Sequence, residues 1–358
     1  MDTSGNRHPR YTNRLCRANG SLLVVVALAM ALGLSAFALP AKAATVSTVS
    51  GAVTASAPRV AAYEWRRIDL TPLPELTAGF ASFKAMGGTT MSLDISHVVS
   101  IAALKNASTR TRTQQAWNRA LDAYIAAAAA AGLRVEALAG APTWMRPSQR
   151  AATITVMNFV ASFNAARPTA ARLTGLQFDI EPWVDPGWSA GAATLTTQWL
   201  DTIGGISAKQ VATAPALRVP LTVAVPFWLD GTAEPKALNR GGVVLSPTEH
   251  IVRLLDNGTG TGTGNAIAVM AYRDVVAGSN GSLALSNAEV GFTEKTGGRV
   301  RAVIAQEVTD IEPASITFWQ EGRGALTAAM AELAVANSGK ASFGGFAIND
   351  FRSLTVLP

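Results

Sequence analysis

Eight times along this chain a short β-branched or apolar run, ending in polar or aromatic residues, gives way to a longer Ala- and Leu-rich stretch at helical spacing. The strand-like runs fall at 61–69, 89–96, 133–144, 173–183, 221–230, 266–274, 301–308 and 343–350. Between them lie helical patterns such as TQQAWNRALDAYIAAAAAAG, ATITVMNFVASFNAA, SPTEHIVRLLD and GALTAAMAELAVANSG. Parallel strands need a crossover between them, so this uninterrupted alternation predicts a single-domain (β/α)8 TIM barrel over 61–358. No Gly-rich phosphate loop follows the first strand, which argues against an open dinucleotide-binding sheet. The Gly/Thr repeat within 256–265 joins a helix to the next strand, so it is expected on the face away from any site.

The first 60 residues have another texture. Arg7, Arg10, Arg14 and Arg17 precede the apolar run SLLVVVALAMALGLSAFAL, and AKA at 41–43 has the small-x-small form cut by a signal peptidase. Residues 1–43 are therefore expected to be a cleaved signal peptide ending at Ala43, with a secreted or periplasmic protein starting at Ala44. An uncleaved membrane anchor is the alternative that a run of this length permits. Residues 44–60 read as a flexible linker. Losing the leader removes four of the chain's six net positive charges. No basic run interleaved with aromatics remains, so nucleic acid is not expected as a partner. Cys16, the only cysteine, lies in the leader, and only His97 and His250 follow it. No metal, cofactor, disulfide or thiol nucleophile is therefore expected, nor stable membrane insertion once the leader is cut.

The C-terminal ends of barrel strands share one mouth. Here they would gather Asp94, Trp144, Asp179, Glu181, Trp183, Trp228, Tyr272, Arg273, Asp274, Glu307 and Asp350. Carboxylates that hydrogen-bond hydroxyls, beside rings that stack on sugar CH faces, suit a carbohydrate. TGLQFDIEPW is the most informative stretch. Period two puts Gln177, Asp179 and Glu181 on one face and Leu176, Phe178 and Ile180 on the other. The apolar face must pack on helices, so the acids line the barrel. An acid beside an anion and between apolar walls keeps its proton above the ordinary range. Glu181 is the candidate general acid/base, Asp179 the group that tunes it, and Glu307 a candidate nucleophile. Tyr272, Arg273, Asp274, Asp94 and Asp350 are candidate sugar ligands, with Trp144, Trp183 and Trp228 as stacking platforms.

TGLQFDIE resembles the fourth-strand signature of family 18 glycoside hydrolases, the chitinase-type barrels, in which Asp-Gly-x-Asp-x-Asp-x-Glu ends in the catalytic acid. Asp179 takes the place of the last Asp and Glu181 that of the acid, while Thr174 and Gln177 stand at the first two Asp positions. VMAYRD resembles the same family's sixth-strand Met-x-Tyr-Asp through Met270 and Tyr272, with Arg273 at the Asp position and Asp274 one later. The third-strand Ser-x-Gly-Gly is not evident. IEPW and AQEV are similar to clan A glycosidases, whose acid/base ends strand four in Asn-Glu-Pro and whose nucleophile ends strand seven. That resemblance implies Glu181 and Glu307, with Ile180 at the Asn position. MAYRD and AINDF are also similar to secreted bacterial barrels of unassigned activity. Together the resemblances imply a glycoside hydrolase that cleaves an O-glycosidic bond of a poly- or oligosaccharide. Retaining, inverting and substrate-assisted chemistry all stay open, because the carboxyl separation is not set by the sequence.

A second class fits the same residues. A non-catalytic carbohydrate-binding barrel is motivated by the departures at Thr174 and Gln177. A third reading comes from GWSAG at 187–191, which has the Gly-x-Ser-x-Gly form of an esterase nucleophile elbow at Ser189. VDPG places a turn before that serine, however, and His250 belongs to a helical stretch. His97 is expected to be structural.

Overall fold

A computed structural model of the chain describes residues 58–258 and 264–358. The expected signal peptide, most of the expected linker and residues 259–263 lie outside the described residues. Eight parallel strands close into a barrel in chain order. They are β1 Val60–Glu64, β2 Thr90–Asp94, β3 Arg134–Ala139, β4 Leu176–Phe178, β5 Leu221–Pro226, β6 Asn265–Met270, β7 Val300–Glu307 and β8 Phe343–Asn349, with β8 pairing back onto β1. Helices such as Ala107–Ala130, Ala151–Ala165, Trp188–Ala212 and Gly322–Ala336 form the crossovers. This is the TIM barrel that the alternation predicts.

Strand parity divides the core into two layers. Val60, Met91, Leu93, Val135, Phe178, Val223, Ile267 and Ile304 point outward and pack with the helices. Ala61, Tyr63, Leu138, Ala266, Val303, Ala305 and Ala347 fill the barrel interior. An eight-stranded barrel leaves room for side chains only, and alanines on neighbouring strands make space for Tyr63 and the polar groups above it. At the foot of the barrel Glu136 is buried, paired with Arg59 and accepting from Ser92 Oγ at 2.5 Å.

The strands are shorter at their C-terminal ends than the apolar runs suggest. β4 has three residues, and beyond it Pro182, with no N–H to give, opens the 3-10 turn Pro182–Val184. Asp179 still donates its backbone N–H to Ala139 O at 3.0 Å. Gly140 makes this close approach possible, since a Cβ there would lie 1.8 Å from the Asp179 carbonyl oxygen. After β5 the chain adds a hairpin that the sequence pattern does not announce, Leu238–Arg240 against Val243–Leu245. Gly241 and Gly242 turn it, at φ 59° and 82°. Among the described residues no helix is long and apolar enough to cross a membrane.

Candidate functional site

Beyond the last rung of β4 the chain keeps the strand's alternation. Ile180 is buried with Leu176 and Phe178 among the helices, so Asp179 and Glu181 turn toward the mouth. Beneath them Gln177 Nε2 donates to Tyr63 Oη across the barrel at 2.8 Å. Burial raises the Asp179 pKa to about 6, and the nearby Asp94 carboxylate adds to the rise, while a hydrogen bond from Glu181 opposes it. The Glu181 pKa lies well above the carboxylate range, through burial first, then the negative charge of Asp179 and the hydrogen bond between the two. A hydrogen bond from Trp183 works the other way. Both carboxyls of the pair are thus shifted toward the protonated form, Glu181 further than Asp179 because it faces the charge of its neighbour. Asp179 Oδ1 is buried and has no partner. Asp94, at the end of β2, is also raised by burial, though Ser96 N donates to its Oδ1 at 2.9 Å.

Glu307 ends β7 on the other side of the mouth. It is 1% exposed. Its Oε1 accepts from Val308 N at 2.9 Å, Thr309 N at 2.8 Å and Thr309 Oγ1 at 2.6 Å, and its Oε2 accepts from Asn349 Nδ2 at 2.6 Å. Asn349 in turn accepts from Trp65 Nε1 at 2.8 Å. Burial raises the Glu307 pKa, and these donors lower it. Tyr272 is raised well above the phenol range by burial and then by Glu307, Tyr63, Asp179 and Glu181. Tyr272 packs against the barrel interior, where both acid sites act on it.

The aromatic residues are not spread evenly. Trp183 packs edge-on against Trp228 and Trp199, each at 5.7 Å between ring centroids, and Trp188 meets Trp228 at 6.1 Å. These rings form a wall on the β4–β5 side. Trp144, at 7% exposure, is instead part of the packed layer between barrel and helices. Trp65 lies edge-on to Tyr63 at 6.0 Å.

Other candidates have local partners. Arg273 donates to Tyr272 O at 2.6 Å and, through Nε and Nη2, to Asn280 Oδ1, with its guanidinium 5.3 Å from the Phe227 ring. Asp274 follows in the same loop, its backbone N bonded to Ser315 O at 3.2 Å. Asp350 caps the helix Phe351–Val356, accepting from Ser353 N at 2.7 Å. Ser189 is exposed on the first turn of Trp188–Ala212, while the buried His250 bonds Leu238 O through Nε2 at 2.8 Å. That arrangement gives the serine no elbow. His97 packs on Trp117 at 5.4 Å, and burial lowers its pKa. Among the described residues no three His, Cys, Asp or Glu side chains form a metal-holding group.

Sequence reasoning missed Tyr63, Trp65 and Trp188. The first two carry on the inward parity of Ala61, but β1 ends at Glu64, earlier than the apolar run implies. Arg66 then folds back onto Glu64, and Arg67 pairs with Asp69.

No family model matches the chain, and no curated protein matches it in sequence. Among solved structures it is similar to an exo-beta-1,4-mannosidase from Opitutaceae bacterium strain TAV5, with a TM-score of 0.50 and 12% identity over 81% of this chain and 51% of that one. The likeness is one of fold. The chain thus spans about half of that mannosidase. It is also similar to the catalytic domain of a beta-amylase from Paenibacillus polymyxa (TM-score 0.49, 9% identity, 83% of this chain and 93% of that one). A GH18 chitinase from Pseudoalteromonas aurantia is comparable, with a TM-score of 0.48 and 14% identity over 82% of this chain and 94% of that one. These neighbours are glycoside hydrolases built on the same barrel, a fold that also hosts many other chemistries.

Proposed function

We propose that the mouth binds a poly- or oligosaccharide and hydrolyses an O-glycosidic bond, with Glu181 as general acid/base. The observation that carries this reading is the carboxyl pair Asp179 and Glu181 on the inward face beyond the end of β4, both raised by burial, beside a tryptophan wall. A glutamate that is still protonated where an ordinary one is ionised can give its proton to the leaving oxygen as the C–O bond breaks. Asp179 accepts that proton's hydrogen bond beforehand and so orients the donor. Trp183 and Trp228 offer ring surface to the sugar, and Trp188 extends it. Tyr272, close to both acid sites, is placed to meet the reacting ring. With residues 1–43 as a cleaved leader, the activity would lie outside the cytoplasm.

Glu307 fits the nucleophile's role less well than its position does. A nucleophilic carboxylate needs an oxygen aimed at the anomeric carbon, and both Glu307 oxygens already accept strong hydrogen bonds. Its present geometry suits a positioning role, holding Asn349 and through it Trp65. Attack would then fall to a water or to a substituent of the substrate. The same observation favours a second reading, a barrel that binds sugar without cleaving it.

Purified protein assayed on polysaccharides and aryl glycosides, beside binding measurements, separates the two. For the hydrolase, Glu181→Gln lowers turnover by about two to four orders of magnitude while binding persists. Binding with no turnover on any substrate supports the non-catalytic barrel. An active protein indifferent to Glu181→Gln removes Glu181 from its role.

A further inference from the structure

The helix Ala107–Ala130 is longer than the barrel requires. Its 24 residues span about 36 Å, while strands of five or six residues rise about 17–20 Å. Its first buried residue is Trp117, and residues 105–112 are all exposed. Trp117 packs on His97, which lies three residues beyond the end of β2. The helix runs back from the mouth toward the foot of the barrel. Its ten residues before Trp117, about 15 Å of helix, therefore stand past the strand ends on the mouth side.

The arm and its flanks have a distinct charge: Arg110 and Arg112 lie on the arm, Lys105 just before it and Arg119 just after Trp117. No Asp or Glu occurs between Asp94 and Asp122, whereas Lys105, Arg110, Arg112 and Arg119 lie there. Four cations without an acid exceed the net charge of residues 44–358, which is two positive. Several arginines elsewhere find carboxylates, Arg67 with Asp69, Arg146 with Asp185, Arg240 with Asp201 and Arg299 with Asp256, while Arg172 and Arg218 donate to backbone carbonyls. Arg110 donates only to Leu104 O at 2.8 Å. Among the described residues Lys105, Arg112 and Arg119 enter no ion pair, although Arg112 and Arg119, seven apart, share one solvent-facing side.

We propose that this arm docks an acidic polysaccharide, a sugar chain bearing carboxylate or sulfate groups, that runs out of the mouth. The proposal rests on the reading of the mouth as a carbohydrate site. Composition favours such a partner over other polyanions. Residues 105–116 hold no aromatic and no large aliphatic side chain, so they offer neither a wedge for lipid nor a platform for nucleic acid bases. They supply instead Ser108, Thr109, Thr111, Thr113, Gln114 and Gln115, hydroxyls and amides that hydrogen-bond sugar hydroxyls between the charges.

The test measures binding of the full protein to polygalacturonate and heparin, with dextran as the neutral control and single-stranded DNA and anionic vesicles as competing polyanions. Wild-type affinity for an acidic polysaccharide should exceed that for dextran and fall as salt rises. The triple variant Arg110→Glu, Arg112→Glu, Arg119→Glu should lose about tenfold or more of that affinity at low salt, a change of sign at three sites, and keep its melting temperature. Unchanged affinity in the triple variant, equal binding of dextran, or tighter binding of DNA or vesicles overturns the proposal. Glu181→Gln distinguishes the two levels of inference. If it binds acidic polymer as the wild type does while the triple variant does not, the arm stands even without turnover. If it abolishes turnover while the triple variant binds normally, the mouth reading survives and the arm fails.

Discussion

Glu181 at the end of β4 and Glu307 at the end of β7 are strand-end acids whose pKa burial raises, yet their surroundings treat the charge in opposite ways. Four donors converge on Glu307. Glu181 has a second carboxyl for its neighbour, and Asp179 Oδ1 beside it has no partner. A carboxylate surrounded by donors is suited to accept and to hold other groups in place. A carboxyl facing an anion is suited to keep a proton and give it up when a better acceptor arrives. Residue type and position at the mouth do not separate these roles; the donors do.

The largest effect that would break this contrast is at Glu307. Glu307→Gln turns an acceptor into a group with its own NH2, leaving donors from Thr309 or Asn349 facing N–H. We expect a loss of about 2–4 kcal/mol, since hydrogen bonds to charged groups are worth more than neutral ones. At about 2–4 °C per kcal/mol this is roughly 4–16 °C in melting temperature, against little change for Glu181→Gln. Equal melting temperatures for the two variants would erase the distinction.

Asp179→Asn sharpens the other half. The folded-state pKa of Asp179 is raised from its ordinary carboxylate value to about 6. The native state therefore keeps a proton that the unfolded chain gives up. The stability this group contributes is present at low pH and lost as pH rises through 6. Asn cannot ionise, so the variant should gain about 1–2 kcal/mol over wild type at pH 7.5 and nothing at pH 4, read from unfolding curves at the two pH values. If the protein is active, the alkaline limb of its pH profile should move to lower pH, because Glu181 loses the negative neighbour that holds its proton. A limb that does not move would mean the pair is not coupled.

The smallest effect concerns Asp350. As a helix cap it should cost about 1 kcal/mol when replaced by Ala, with sugar binding unchanged. Calorimetry beside a binding titration checks both, and lost affinity at unchanged stability would make Asp350 a sugar ligand rather than a cap alone.

The alternation of strands and helices and the inward face of β4 were legible because both are local periodicities, of about 3.6 and 2 residues. Leu176, Phe178 and Ile180 alternate with Gln177, Asp179 and Glu181, and one face of a barrel strand must meet helices. The strand ends were less legible. β4 stops at Phe178 and the first strand at Glu64, so the inward parity of Ala61 carries Tyr63 and Trp65 to the mouth, where the apolar run alone does not mark an end. The hairpin after β5 hides in a stretch whose three-residue strands are too short to show a period.

By itself, then, the sequence determined the barrel, the strand that carries the acid pair and the common face of that pair, because side-chain alternation follows from backbone geometry alone. Tertiary structure decided what each acid can do. The donors that occupy Glu307 include Asn349, 42 residues away; the ring packed on Trp183 is that of Trp228, and the charge that helps raise Asp179 comes from Asp94 on another strand. Electrostatics and hydrogen bonding depend on distance in space, and closure of the barrel is what brings these distant residues together.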